Sequence, residues 1–134
     1  MGTKIFFGLL FSVCGVCYAE DAPLDQCSSN DTVSQDVYEC SKQKSREADL
    51  ELNYAYRALN DKVTKDYKAA PMLGEQLKGH IKKSQMAWIR LRDENCAVES
   101  FVISPETQAF ETTRNYCIAR GSRDRAQCLS NLSF

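Results

Sequence analysis

Residues 85–96, QMAWIRLRDENC, together with residues 48–59, ADLELNYAYRAL, decide how this chain is read. In the first stretch Gln85, Trp88, Arg92 and Cys96 recur at steps of three and four. In the second, Ala48, Asp49, Leu52, Asn53, Tyr56 and Leu59 do the same. Such spacing puts each set mainly on one side of a helix, because side chains three or four residues apart stack along the same face. Two long helices, each tied to a cysteine (Cys40 and Cys96), therefore form the frame on which the rest is placed.

Working outward, Thr32 and Gln35 have the spacing of a capping box and mark a helix start near Ser34. From there Val37, Cys40, Lys44, Ala48, Leu52, Tyr56, Leu59, Val63 and Tyr67 trace a stripe to a helix end near Ala69. At 1.5 Å per residue that helix is on the order of 50 Å long. Pro71 and Gly74 interrupt the run, and Leu73, Leu77, Ile81, Trp88, Leu91 and Asn95 mark a second amphipathic helix ending near Asn95. A short connection between long helices predicts an antiparallel hairpin. Residues 97–104 carry β-formers (Val98, Phe101, Val102, Ile103) with no second strand to pair with, and read as a loop with at most a brief extended piece. A third helix is expected over Pro105 to Ala119, ended by Gly121, with Ser122 capping a short last helix through Arg125, Cys128, Leu129 and Leu132. The predicted fold class is all-α: a small disulfide-stapled helical domain built on a long antiparallel helix hairpin, with one or two shorter C-terminal helices.

The first residues bear on compartment. Lys4 precedes an apolar stretch from Ile5 to Val16, followed by Cys17, Tyr18, Ala19 and acidic residues. That order is a secretory signal with cleavage expected after Ala19. The residues before Cys14 and Cys17 fit a lipoprotein acylation site poorly, and no later stretch approaches the roughly 20 apolar residues of a membrane span. The expected organisation is a cleaved signal over residues 1–19 and one domain over 20–134, in a periplasmic or secreted protein. The domain keeps 16 basic against 18 acidic residues, which offers no basic field for nucleic acid.

Cleavage leaves Cys27, Cys40, Cys96, Cys117 and Cys128. In an exported domain of this size disulfides are the default reading, and neither the spacings nor the single His80 suggests a metal site. Sequence alone leaves the connectivity open. Local closure favours Cys27 with Cys40 and Cys96 with Cys117. Cys128 is then a buried free thiol, an alternative partner for Cys117, or an intermolecular bridge.

Catalysis finds no support in the chain. His80 lies in Gly79-His80-Ile81-Lys82-Lys83 without a recognisable nucleophile motif, adjacent carboxylates such as Asp93 and Glu94 point different ways on a helix, and no glycine-rich phosphate loop is present. No cofactor is implied. The polar residues beside the apolar stripes, Asp49, Asn53, Arg92 and Asp93, either bridge the helices or line a binding face. Arg92 suits a carboxylate bidentately, with Asp49 as mate across an antiparallel pair. Trp88 reads as the aromatic anchor between the helices, its indole nitrogen seeking a partner such as Asn53 or a backbone carbonyl.

Taken in order, Cys40, Ala48-Asp49-x-x-Leu52-Asn53-x-x-Tyr56, Gln85-x-x-Trp88-x-x-x-Arg92-Asp93-x-x-Cys96, Tyr116-Cys117 and Ser122-x-x-Arg125 resemble the LprI family of bacterial lysozyme inhibitors. The resemblance covers about Cys27 to Leu132. It implies a helical, disulfide-bonded bacterial envelope protein whose partner is a protein of the lysozyme kind, bound so that its cleft is occluded. The alternative is a periplasmic interaction, stress or immunity module with a non-lysozyme partner. The chain departs from the family pattern in lacking a lipobox, in the extra Cys128, in Ser122 where threonine is usual, and in lacking a glycine-rich stretch after Cys96. Inhibition calls for a protruding group that reaches two active-site carboxylates. The candidates are Ser100, Ser104, Thr107 and Arg114 in the loop region, with Lys65, Lys68 and Lys78 at the other end, where a solvated helix face is the competing reading.

Overall fold

A computed structural model of the protein describes residues 34–134. The proposed signal peptide, Cys27 and the Thr32 half of the capping box lie outside the described residues. Among the described residues there are three helices and no strand: α1 (Ser34–Asp66), α2 (Pro71–Ser100) and α3 (Gln108–Ser130).

The α1–α2 connection follows from local chemistry. Ala70 precedes Pro71, whose fixed φ and missing N–H suit the first turn of α2. The carbonyl of Ala70 accepts from the amides of Leu73 (3.1 Å) and Gly74 (3.2 Å). Gly74 is needed for close approach: a Cβ there would lie 3.0 Å from the Cβ of Tyr67.

The expected hairpin is present, but the tightest pairing in the bundle is between α1 and α3. These two run parallel, in a register set by Ser34 to Gln108 (3.2 Å), Asn115 to Ser41 (3.1 Å) and Ser122 to Asp49 (3.3 Å). Small buried residues make the approach possible: Ser41, Ala48 and Ala55 on α1, Ala119, Ser122 and Ala126 on α3. On each helix they repeat at heptad-like steps, and short side chains shorten the distance at which two helices pack. Leu52, Ala55, Leu59, Val63, Ile81, Ala126 and Leu129 form the core, with Tyr56, Tyr67, Leu77 and Trp88 packed against it.

Three expectations are corrected. The α2 helix does not stop near Asn95 but continues to Ser100, whose buried Oγ donates back to the Cys96 carbonyl (2.8 Å). The β-formers there yield to a helix end stapled to α3. Second, the separate third and fourth helices are one continuous α3, and it begins at Gln108, where Thr107 caps it by accepting from the Phe110 amide (3.2 Å). Gly121 does not terminate it. Gly121 lies inside the helix because α2 crosses there, and a Cβ would come 3.3 Å from Arg92 Cγ. Third, Leu73 and Leu91, read as part of the apolar stripe, are more than half exposed, while the inward line of α2 runs through Gly74, Ile81, Gln85, Cys96 and Ser100. That line is half polar or small, so a search for large apolar residues drifts off it.

Cys96 and Cys117 are joined, as local closure favoured, fixing the end of α2 to α3 at a Cα–Cα distance of 5.6 Å. Cys40 and Cys128 each take part in a disulfide, which sets aside the free-thiol reading of Cys128, and Cys117 is already taken by Cys96. The Cys96–Cys117 bond closes a loop of 21 residues, for which chain-entropy arguments give about 3 kcal/mol. Replacing both cysteines with serine is therefore expected to lower the melting temperature by more than about 10 °C, read by circular dichroism. A melting curve that does not move would mean the staple contributes nothing to stability.

Candidate functional site

The motif residues of α1 and α2 converge with two residues of α3 on one interhelical network. Arg92, with only 12 % of its side chain exposed, is the hub. Its Nη1 donates to Ser122 Oγ (2.9 Å) and to Asp49 Oδ1 (3.3 Å), while Nε and Nη2 donate to Asp93 Oδ1 (3.0 and 2.8 Å). Ser122 Oγ in turn donates to Asp49 Oδ1 (3.3 Å), so one guanidinium, one hydroxyl and one carboxylate join all three helices. Arg92 therefore pairs with Asp49 as expected from sequence, but through one bond; its two-pronged contact goes to Asp93, its neighbour on α2.

Trp88 lies beside this hub, with the Arg92 guanidinium 5.4 Å and the Arg125 guanidinium 5.7 Å from its ring centroid. Arg125 also donates to Gln85 Oε1 (3.0 Å) and Ser84 Oγ (3.1 Å). Burial pushes Arg125 below the usual arginine range, because its charged form has lost water. The buried side chain of Gln85 thereby has a partner: its Oε1 accepts from the partly buried Arg125.

The remaining motif residues divide. Leu52 is core, and Tyr56 packs half-buried against it. Asn53 is exposed on α1 rather than under the Trp88 indole. Ser100 is fully buried, which removes it from any contact surface, whereas Ser104 is exposed on the α2–α3 loop and Arg114 is half-buried on α3. Lys65 and Lys68 are exposed, and Lys78 pairs with Glu75 (2.9 Å). Between α2 and α3, over Gly121, lies a shallow cleft of about 310 Å³ bordered by Trp88, Leu91 and Arg120. Among the described residues no group of histidine, cysteine and carboxylate side chains is placed to hold a metal, and no helix is long and apolar enough to cross a membrane.

Sequence reasoning looked for polar contact groups in the loop region and passed over its apolar ones. Val98, Phe101 and Val102 are among the most exposed large hydrophobic residues. The signal that could have found Phe101 and Val102 is the run Ser100-Phe101-Val102-Ile103-Ser104-Pro105, uncharged in a chain of which 26 % is charged.

Parallel α1 and α3 locked by a buried arginine, with α2 stapled to α3, define over the described residues a disulfide-bonded bundle of three helices whose motif residues hold it together. A family model described as lysozyme inhibitor LprI matches residues 25–129, and the chain belongs to that family. Among solved structures the fold is similar to a DUF1311 family protein from Pseudomonas putida, with a TM-score of 0.66 and 28 % identity over 72 % of this chain and 89 % of that one. No curated protein matches the chain.

Removing the hub tests its role. Arg92→Met leaves Asp49 and Asp93 facing each other without a cation, but both carboxylates are 41–52 % exposed and can rehydrate. The expected cost is therefore about 2 kcal/mol, below that of a fully buried broken pair. Asp49→Asn should cost less than about 1 kcal/mol, since the hydrogen-bond acceptor remains. Urea unfolding of both variants checks the order; an equal cost would mean that the Asp49 bond carries the whole contribution of Arg92, and that Asp93 and Ser122 add nothing.

Proposed function

We propose that the protein is an exported inhibitor that binds a lysozyme or a related peptidoglycan hydrolase and occludes its cleft, and that it is not itself an enzyme. The observation that carries this is the family match, which runs through all three helices to Leu129 rather than over one motif. The N-terminal signal-like sequence supports a periplasmic or secreted location, where such a hydrolase would be met. The Cys96–Cys117 bond supports it too: it fixes the end of α2 to α3, so the surface there needs less ordering on association, and ordering is a main cost of binding. The bridging network occupies Asp49, Arg92 and Asp93, so the contact surface belongs to residues outside it; Ser104 and Arg114 remain candidates on the α2–α3 side.

The proposal is tested by a cell-wall clearing assay with the purified, oxidised protein against c-type, g-type and i-type lysozymes. Saturable inhibition of one type, lost on reduction of the protein, is the expected outcome. Absence of inhibition of every type by protein shown to be folded would refute it.

A further inference from the structure

We propose that Arg125 and Ser84 form an oxyanion subsite on the α2–α3 seam, suited to the carboxylate of a small molecule. This goes beyond the inhibitor reading and does not depend on it. On α3, Arg120 and Arg123 each lie within 4.0 Å of a carboxylate, of Glu99 and Glu51, and on α2 Arg92 meets Asp49 and Asp93. Arg125 is drawn between the helices without one. Among the described residues its acceptors are two neutral oxygens, Gln85 Oε1 (3.0 Å) and Ser84 Oγ (3.1 Å), and its remaining neighbour is the Trp88 ring. A cation withdrawn from water is ordinarily balanced by an anion, because desolvation disfavours the ionised form.

A guanidinium carries five N–H donors. In Arg125, Nε and one hydrogen of Nη2 are used within the protein, so the Nη1–Nη2 end of the fork is left over. That end presents two parallel donors with the spacing of a carboxylate's oxygens. It is also reached by solvent: among the described residues no buried side-chain nitrogen lacks a partner, and Nη1 has none. Ser84 is exposed, and its Oγ, which accepts from Arg125, keeps a hydroxyl hydrogen to donate to the same anion.

The surrounding charge agrees. From Gln76 to Arg92, α2 carries Lys78, Lys82, Lys83, Arg90 and Arg92 and no acidic residue, and none follows Asp124 in the chain. Such a one-sided distribution draws anions. Asp124 borders the neighbouring cleft over Gly121, and a singly charged carboxylate meets less repulsion from it than a phosphate dianion would. A bound carboxylate would also offset the burial that pushes Arg125 below the usual arginine range.

The chain has one tryptophan, and the Arg125 guanidinium lies 5.7 Å from its ring centroid, so tryptophan emission reports this site alone. The test replaces chloride by acetate at constant ionic strength, in the oxidised protein purified from cells expressing the full chain. A saturable change in emission is expected, half-complete on the order of 10 mM. Ser84→Ala should raise that midpoint on the order of 5-fold, the worth of one hydrogen bond. Arg125→Lys, which keeps the charge and loses the fork, should raise it on the order of 10-fold. Arg57→Gln, at an exposed position on α1, should leave it unchanged. Should Arg125→Lys melt earlier than the unaltered protein, Ser84→Ala carries the comparison, since its side chain is exposed. Emission indifferent to acetate, or a midpoint that neither Ser84→Ala nor Arg125→Lys moves, would overturn the subsite. Inorganic phosphate saturating at a lower concentration than acetate would overturn its assignment to a carboxylate. None of these outcomes bears on lysozyme inhibition, which the clearing assay decides separately.

Discussion

The close parallel packing of α1 against α3 is the constraint from which the rest of the architecture follows. Ser41, Ala48 and Ala55 face a seam lined by Ala119, Ser122 and Ala126, and only short side chains allow two helices so long to stay close along most of their length. Parallel neighbours cannot be joined by a short turn, so the chain must travel back between them. That return is α2, antiparallel to both. It follows that the start of α1, the end of α2 and the start of α3 meet at one end of the bundle, where Ser34 donates to Gln108 (3.2 Å). The disulfide Cys96–Cys117 ties α2 to α3 near that same end.

A seam of small residues is close but buries little apolar surface per contact, and α2 touches α1 only sparingly. Arg92 compensates by linking the three helices through directional bonds. Its guanidinium is nearly desolvated, and such a group is tolerated only when its donors are satisfied. Four hydrogen bonds to Asp49, Asp93 and Ser122 meet that demand, and the Trp88 ring covers one flank. Gly121 belongs to the same arrangement, since a side chain there would press on Arg92 Cγ at 3.3 Å. The energetic gain over an apolar core need not be large. What the network adds is register: a helix displaced by one turn would break the bonds to Asp49 and Ser122 and leave the cation only Asp93, its neighbour on α2.

Part of this was legible in the sequence. The α1 stripe was, because Ala48, Leu52, Leu59 and Val63 repeat cleanly on a helix with one buried face. Asp49 with Arg92 was legible because a carboxylate and a guanidinium beside two facing stripes have few other uses. The inward line of α2 was not, since it runs through Gly74, Gln85, Cys96 and Ser100, and hydrophobic patterning assigned weight instead to Leu73 and Leu91, which face solvent. Gly121 was misread for a related reason. Glycine's weak helix propensity is a local term of about 1 kcal/mol, and the close crossing of α2 outweighs it. The parallel relation of α1 and α3 left no local signal at all, because it is a property of two segments more than 70 residues apart.

The division of labour between bundle and loop bears on what family membership can mean. The residues that carry the family pattern here, Asp49, Leu52, Gln85, Trp88, Arg92 and Ser122, are spent on holding helices together, through core burial or interhelical bonds. A chain that shares them shares a scaffold. Recognition of a particular target must then rest on surface that the pattern leaves unspecified; the α2–α3 loop, with Phe101, Val102 and Ser104 exposed, lies outside the network. A staple placed beside the loop, rather than in the middle of the bundle, acts on the loop's shape as well as on global stability. Reduction would thus be felt at the tip first, where few buried contacts oppose local opening.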